Sequence, residues 1–409
     1  MNYKLEPLFG DFIREHRNDD VRKLALQIAG RKDIDVPFVL EQIAGWQKAC
    51  EKLPSWAATD GIVYPPHLSM EQCSGELAAL YKAAVARRIC GCGPDGRAPL
   101  LADLTGGFGV DFSFMSRCFE RSIYVERNER LSMTARHNFG VLALGGAEAV
   151  CADCTEYLHG IDHATLIYMD PARRDARGGR TYAISDCTPD VLGMLPELVD
   201  KADHVMLKLS PMLDWHEAVA SLNAVCPDVV REIHVVSVRN ECKELLFVLS
   251  CRSSAPVEIY CSNGGDTLRC TMTEAMEPAV LADMPYTSLV GKYLYEPDAA
   301  VMKAGCFGLI CRRYGVRQVG VNSRLFVSDR LITGFPGRCF IVSAISSMNK
   351  KELKAALAGV EKANVAVRNL PLTVAELRKR LRLGDGGGVY VFGTTCACGT
   401  RAVAVCSKV

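Results

Sequence analysis

Four short apolar runs between residues 100 and 170 each finish in an acid. Asp103 closes Leu-Leu-Ala-Asp, Glu126 follows Ser-Ile-Tyr-Val, Asp153 stands just past Val-Cys-Ala, and Asp170 follows Leu-Ile-Tyr-Met. After the first run come Gly106, Gly107 and Gly109, which allow a tight turn from strand into helix and let a backbone approach a ligand at the helix N-terminus. A carboxylate about 20 residues past such a turn, as Glu126 is, can accept both hydroxyls of a ribose. Asp153 is placed for an adenine amino group, and Asp170-Pro171 lies at the carboxyl edge where open α/β sheets bind ligands. One strand-end acid is an ordinary turn or cap residue. Four beside a glycine turn point to a nucleoside-type ligand. The spacing is not the GxGxxG of a dinucleotide site, and no P-loop lysine follows.

The elements that must carry these residues are readable from the apolar period. Residues 1–97 read as a helical domain, with segments near Val21–Ala29, Pro37–Leu53 and Glu71–Ile89 punctuated by prolines. Ser69 and Gln72 have the capping-box form, which predicts a helix starting there and running through Ala78, Tyr81 and Val85. Across 98–256 strands alternate with helices, which predicts a parallel α/β sheet, and Val230–Val238 and Leu245–Cys251 add an antiparallel pair at its edge. Residues 257–335 read as a first α+β segment and 336–409 as a second, in β-α-β-α-β order with a basic helix near 374–382. Gly384–Gly388 is expected to turn into a strand at Val389–Gly393.

Residues 99–251 resemble a class I S-adenosylmethionine-dependent methyltransferase. DLTGGFG (103–109) is similar to the first motif of that class, Glu126 to the second, Asp153 to the third and DPAR (170–173) to the fourth. The resemblance implies a Rossmann-like seven-stranded sheet of order 3-2-1-4-5-7-6. It implies bound S-adenosylmethionine held by Asp103, Thr105, Gly106, Gly107, Phe108, Gly109, Asp111, Glu126, Arg127, Asp153, Cys154 and Asp170. The whole chain resembles a bacterial family that adds a ferredoxin-like segment and a THUMP-like C-terminal domain, on TSLVGKYLYEPDAAVMKAG (287–305) and VRNLPLTVAELRKRLRLGDGG (367–387). THUMP domains elsewhere accompany RNA-modifying enzymes.

The fourth motif bears on the chemistry. Enzymes that methylate exocyclic base amines carry Asp/Asn-Pro-Pro-aromatic, whereas Ala172 and Arg173 stand in the last two places here. RNA uracil-C5 methyltransferases place a nucleophilic cysteine in a Ser-Cys-Asn-Pro loop, where this chain has Lys208-Leu-Ser-Pro211. A covalent mechanism loses its nucleophile, with Cys187 left as an open alternative. Direct displacement then needs alignment of acceptor and methyl and exclusion of water. Asp170 and Pro171 are the expected acceptor-side residues, with Lys208 to hold a developing charge or a phosphate. Arg173, Arg174, Arg177 and Arg180 crowd the next loop and suit phosphate contacts, or salt bridges to an acidic core. Gln72, Ser74, Tyr81 and Lys82, just before the core, can lid a cofactor or simply pack. Tyr182 and Trp215 can stack a base or join the core.

Composition sets the remaining bounds. The 409 residues are 49% hydrophobic and 23% charged, which is globular, and the net charge is +1. That balance hides a split. Residues 301–409 carry 18 Lys and Arg against 5 Asp and Glu, and the rest of the chain is correspondingly acidic. A basic module of this kind most often meets phosphates, so RNA is the expected partner. The 19 cysteines include one CxxC, Cys151/Cys154, without a second pair, so reduced thiols and no metal are expected. With no transmembrane run and no signal-peptide pattern, a cytoplasmic location is expected. The alternatives are a small-molecule or protein acceptor, or an RNA-binding protein that keeps the cofactor site without turnover.

Overall fold

The computed structural model describes residues 7–91, 99–173, 183–251 and 255–409. Arg174, Arg177, Arg180 and Tyr182 lie outside the described residues. The chain divides into two compact units, one of 1–233 with 243–255 and one of 234–242 with 256–409.

The first unit opens with helices α1 Pro7–His16, α2 Val21–Gln27, α3 Val36–Lys52, α4 Pro54–Ala57, α5 His67–Gln72 and α6 Glu76–Cys90. The single helix expected from Ser69 is therefore two. Ser69 lies within α5, and the chain is extended at Cys73 and at Gly75, which N-caps α6. The break turns Ser74 inward, where its hydroxyl donates to Asp111 at 2.8 Å. Tertiary hydrogen bonding outweighs the local capping signal here.

The sheet follows as β1 Leu100–Asp103, β2 Arg121–Val125, β3 Ala147–Val150, β4 Ala164–Met169, β5 Ala202–Leu209, β6 Val230–Val238 and β7 Glu241–Leu249. Their order is β3-β2-β1-β4-β5-β7-β6, as the resemblance implies. β1 pairs in parallel with β2 and β4, β2 with β3, and β4 with β5, while β7 runs antiparallel to β5. Helices α7 Val110–Met115, α8 Glu129–Val141, α9 Cys154–Gly160, α10 Val191–Asp200 and α11 Trp215–Val225 connect the strands. The core joins Leu101, Phe112, Tyr124, Tyr168 and Leu246 to Ala83, Val85 and Ala86 of α6. Burial on both faces is what near-continuous apolar strands require. Trp215 opens α11 and is 2% exposed, so it belongs to the core.

The second unit begins with the far half of the β6–β7 hairpin and a hairpin of β8 Glu258–Asn263 and β9 Asp266–Thr271. It continues through α12 Met272–Ala275, β10 Tyr293–Pro297, α13 Ala299–Ala304, α14 Phe307–Tyr314, β11 Arg317–Gln318, β12 Phe326–Ser328, β13 Gly337–Ser347, α15 Lys350–Ala356, β14 Lys362–Arg368, α16 Val374–Leu381, β15 Gly384–Thr395 and β16 Arg401–Lys408. Strands β10 to β16 form one sheet of order β11-β12-β10-β13-β16-β15-β14. Two boundaries differ from the sequence reading. Asp298–Leu309 reads as one helix in sequence, but Gly305, at φ 76°, splits it into α13 and α14, and Gly384–Gly388 belongs to β15, with a register shift between Ala363 and Asn364.

Candidate active site

A cleft of about 1210 Å³ opens at the carboxyl ends of the parallel strands, lined entirely by residues of the first unit. The glycine turn, Asp103, Thr105, Asp111, Glu126, Arg127, Asp153, Cys154, Asp170, Pro171 and Lys208 all border it. The turn is stitched to the strand ends by backbone bonds. Leu104 N–H donates to Tyr168 O at 3.1 Å and Gly106 N–H to Val125 O at 2.9 Å. Thr105 ties β1 to β4, since the Asp170 N–H donates to its Oγ1 at 2.5 Å.

Two glycines are required by geometry. A Cβ on Gly106 would stand 2.1 Å from the Tyr124 ring, and Gly109, at φ 82°, N-caps α7 in the left-handed region. Phe108 packs its ring on Trp56, 4.9 Å between centroids, so its side chain anchors the turn.

The acids differ in what they accept. Glu126 Oε2 accepts from Gly107 N–H at 2.9 Å and Oε1 from Asn128 N–H at 2.7 Å, which fixes the carboxylate while leaving lone pairs toward the cleft. Asp153 is exposed and caps α9, accepting from the Thr155 and Glu156 N–H groups. Asp103 is 1% exposed. Burial lifts its carboxyl well above the usual aspartate range, against one Thr105 N–H bond that favours the charged form.

Beneath the cleft lies a buried charge network. Lys208 Nζ donates to Asp170 Oδ2 at 2.5 Å and stands 3.9 Å from Asp111 Oδ2. Burial alone would depress the Lys208 ammonium, but Asp170, Asp111 and Glu244 outweigh it and hold it charged beyond the ordinary lysine range. Asp111 Oδ2 accepts from Ser74 Oγ and Tyr168 OH, each at 2.8 Å. Lys82, 0% exposed, stands 2.5 Å from Glu244 Oε1 and 3.2 Å from Asp111 Oδ1. Sequence reasoning did not single out Glu244. Its signal was an acid directly joined to the apolar run Leu-Leu-Phe-Val-Leu at 245–249.

Besides Cys154, the thiols Cys73 and Cys187 line the cleft. Burial pushes the Cys73 thiol up to about 11, so it is not a ready nucleophile near neutrality. Among the described residues no group of three or more His, Cys, Asp or Glu could hold a metal ion, and no helix is long and apolar enough to cross a membrane.

A glycine turn and strand-end acids on a sheet of this order define a class I S-adenosylmethionine-dependent methyltransferase. Residues 293–336 match the family model of a ferredoxin-like domain and 337–408 that of a THUMP domain-like segment. A crystal structure from Porphyromonas gingivalis W83, assigned as a methyltransferase, is 33% identical, with a TM-score of 0.84 over 98% of this chain and 97% of that one. Two Mycobacterium tuberculosis proteins, from strains CDC 1551 and H37Rv, are named uncharacterized S-adenosylmethionine-dependent methyltransferases. Each is 27% identical over 321 residues, 77% of this chain and 80% of theirs. The chain belongs to the family of S-adenosylmethionine-dependent methyltransferases that carry ferredoxin-like and THUMP-like domains, and S-adenosylmethionine is its cofactor. The residues fit that cofactor. Gly107 leaves the turn open, its built Cβ meeting only Thr105 O at 3.9 Å, and the cleft presents carboxylates where hydroxyl and amino donors need acceptors.

Proposed function

We propose that this enzyme methylates RNA by direct displacement, without a covalent bond to a cysteine. The observation that carries the reading is the Lys208–Asp170 pair facing the same cleft as the glycine turn and Glu126. S-adenosylmethionine supplies a methyl group that is already electrophilic, so the protein's part is alignment, proton management and exclusion of water.

In this reading Glu126 accepts the ribose hydroxyls and Asp153 the adenine amino group, while the turn at 105–109 offers its backbone to the cofactor. Asp111 acts from below, through its partners, rather than on the cofactor directly. Asp170 orients the acceptor and receives its proton, with Pro171 shaping the rim and Lys208 keeping the carboxylate in place. The absence of a cysteine in Lys208-Leu-Ser-Pro211 and the raised Cys73 thiol support displacement over covalent catalysis.

RNA is favoured by the basic second unit, where Lys350, Lys351, Lys354, Lys362, Lys379 and Arg382 are exposed, and by the matched THUMP-like segment. Arg173, Arg174, Arg177 and Arg180, which follow Asp170 closely in sequence, are of a type suited to phosphate contacts. The test is methyl-labelled S-adenosylmethionine incubated with total RNA from cells lacking the gene. Label in RNA that disappears with Asp170→Ala supports the reading. No label in RNA, with S-adenosylhomocysteine still bound, moves the acceptor to a protein or small molecule.

A further inference from the structure

We infer that Lys82 and Glu244 are positioning residues for methyl transfer, acting through Asp111 and Lys208 to hold the Asp170 carboxylate at the acceptor end of the cleft. The inference rests on the reading of Asp170 above. It does not depend on the acceptor being RNA.

The geometry is a run of alternating charge. Glu244 of β7, Lys82 of α6, Asp111 of α7, Lys208 of β5 and Asp170 at the end of β4 follow one another at 2.5, 3.2, 3.9 and 2.5 Å. Lys82 donates hydrogen bonds to Glu244 Oε1 and, at 3.1 Å, to Ser74 Oγ, and stands in ion-pair range of Asp111 Oδ1. Asp111 Oδ1 is buried and has no hydrogen-bond partner among the described residues, so the ion pair with Lys82 is what compensates it.

Asp111 is the junction. It sits in the first turn of the helix that the glycine turn opens, with its carboxylate held below the turn by Ser74 and Tyr168. Its other partners, Ser74 and Tyr168, are neutral hydroxyls, and Asp103, Glu244 and Cys73 are the further titratable groups that act on it. Lys82 and Lys208 are therefore its two cations. Burial would raise the Asp111 carboxyl, but these cations and the two hydroxyl bonds hold it below the ordinary aspartate range.

Removing Lys82 would leave Asp111 with Lys208 alone. The Lys208 ammonium would then be drawn from Asp170 toward Asp111, and the acceptor-end carboxylate would lose its anchor. A purely structural pair behaves differently: replacing both of its charges with apolar groups is often neutral, because the desolvation cost disappears with them.

That difference defines the experiment, done on the full chain with Lys82→Met, Lys82→Arg and the double variant Lys82→Met/Glu244→Leu. Three quantities are read: thermal melting, S-adenosylhomocysteine affinity by calorimetry, and tritiated methyl transfer at saturating S-adenosylmethionine into whole-cell extract from a strain lacking the gene. Lys82→Met is expected to lower turnover about tenfold or more while S-adenosylhomocysteine affinity changes less than about threefold, within what an unaltered cofactor site allows. Lys82→Arg should recover part of the turnover, and the double variant should recover melting but not turnover. Recovery of turnover in the double variant would overturn the proposal, since Lys82 would then only neutralise Glu244. So would wild-type turnover in Lys82→Met, or turnover and cofactor affinity falling together. Label in protein or small molecules rather than RNA would overturn the acceptor assignment alone, because the variant-to-wild-type ratio is read wherever the label lands.

Discussion

Lys208 and Asp170 meet at 2.5 Å across neighbouring strands, β5 and β4, with the lysine largely buried and the carboxylate partly open to the cleft. Lys208 lies within β5, while Asp170 is the residue just past the end of β4, tied back through its N–H to Thr105 Oγ1. Lys208→Met should lower methyl transfer by about 10²-fold or more if the pair manages the acceptor proton. S-adenosylhomocysteine affinity should stay within about threefold, as for an interaction outside the cofactor contacts. Single-turnover kinetics with calorimetry on the same preparation checks both. Affinity lost in step with rate would place Lys208 in the cofactor site instead.

Glu126→Ala removes the acceptor for two loop N–H groups as well as for a ribose. Calorimetry with S-adenosylmethionine should show binding weaker by about 1–3 kcal/mol, the usual cost of leaving buried donors without a partner. Unchanged affinity would remove Glu126 from the cofactor assignment.

Gly106→Ala tests the turn by shape alone. Its methyl would meet the Tyr124 ring at 2.1 Å, so the ring or the turn must move. The variant should melt lower, by the equivalent of about 1–3 kcal/mol as for an overpacked core. Adding Tyr124→Leu should return part of that loss, and a melt unaffected by either change would contradict the packing described.

The buried Asp103 carboxyl gives a pH signature. Its folded-state proton affinity is raised by burial, so the folded chain holds a proton that the unfolded chain has released. That contribution to stability is complete below the unfolded value, about pH 4, and is lost as pH rises through the folded value. Asn at this position can still accept the Thr105 N–H at its Oδ1 and never ionises. Melting of wild type and Asp103→Asn should therefore converge near pH 4 and diverge in favour of Asn as pH rises. A gap that stays constant from pH 5 to 9 would show that Asp103 ionises without penalty.

Much of the cleft was legible because its residues sit at strand ends, where a four-residue apolar run and its terminal acid are adjacent in sequence. The sheet order followed from the same runs through the family resemblance. What was hidden is long-range or locally misleading. Lys82 and Glu244 are 162 positions apart, and neither has a neighbour in sequence that announces the other. Ser69 and Gln72 imitate a helix start, while the true start, Glu76, is set by Ser74 turning in to reach Asp111. Between stacking a base and joining the core, the sequence could not place Trp215, because a flanking Asp suits a loop as well as a helix N-cap, and Asp214 is the N-cap of α11.

The seat of Lys82 on α6 has a bearing on modularity. A fragment begun at residue 98 would carry the whole glycine turn and every strand-end acid, and would look like a complete catalytic module. It would also carry Asp111 and Glu244 with Lys208 as their nearby cation, an imbalance that an expression screen would register as insolubility. A transplantable version of this enzyme has to keep the N-terminal helices too, since Trp56 holds Phe108 of the turn while Ser74 and Lys82 hold Asp111.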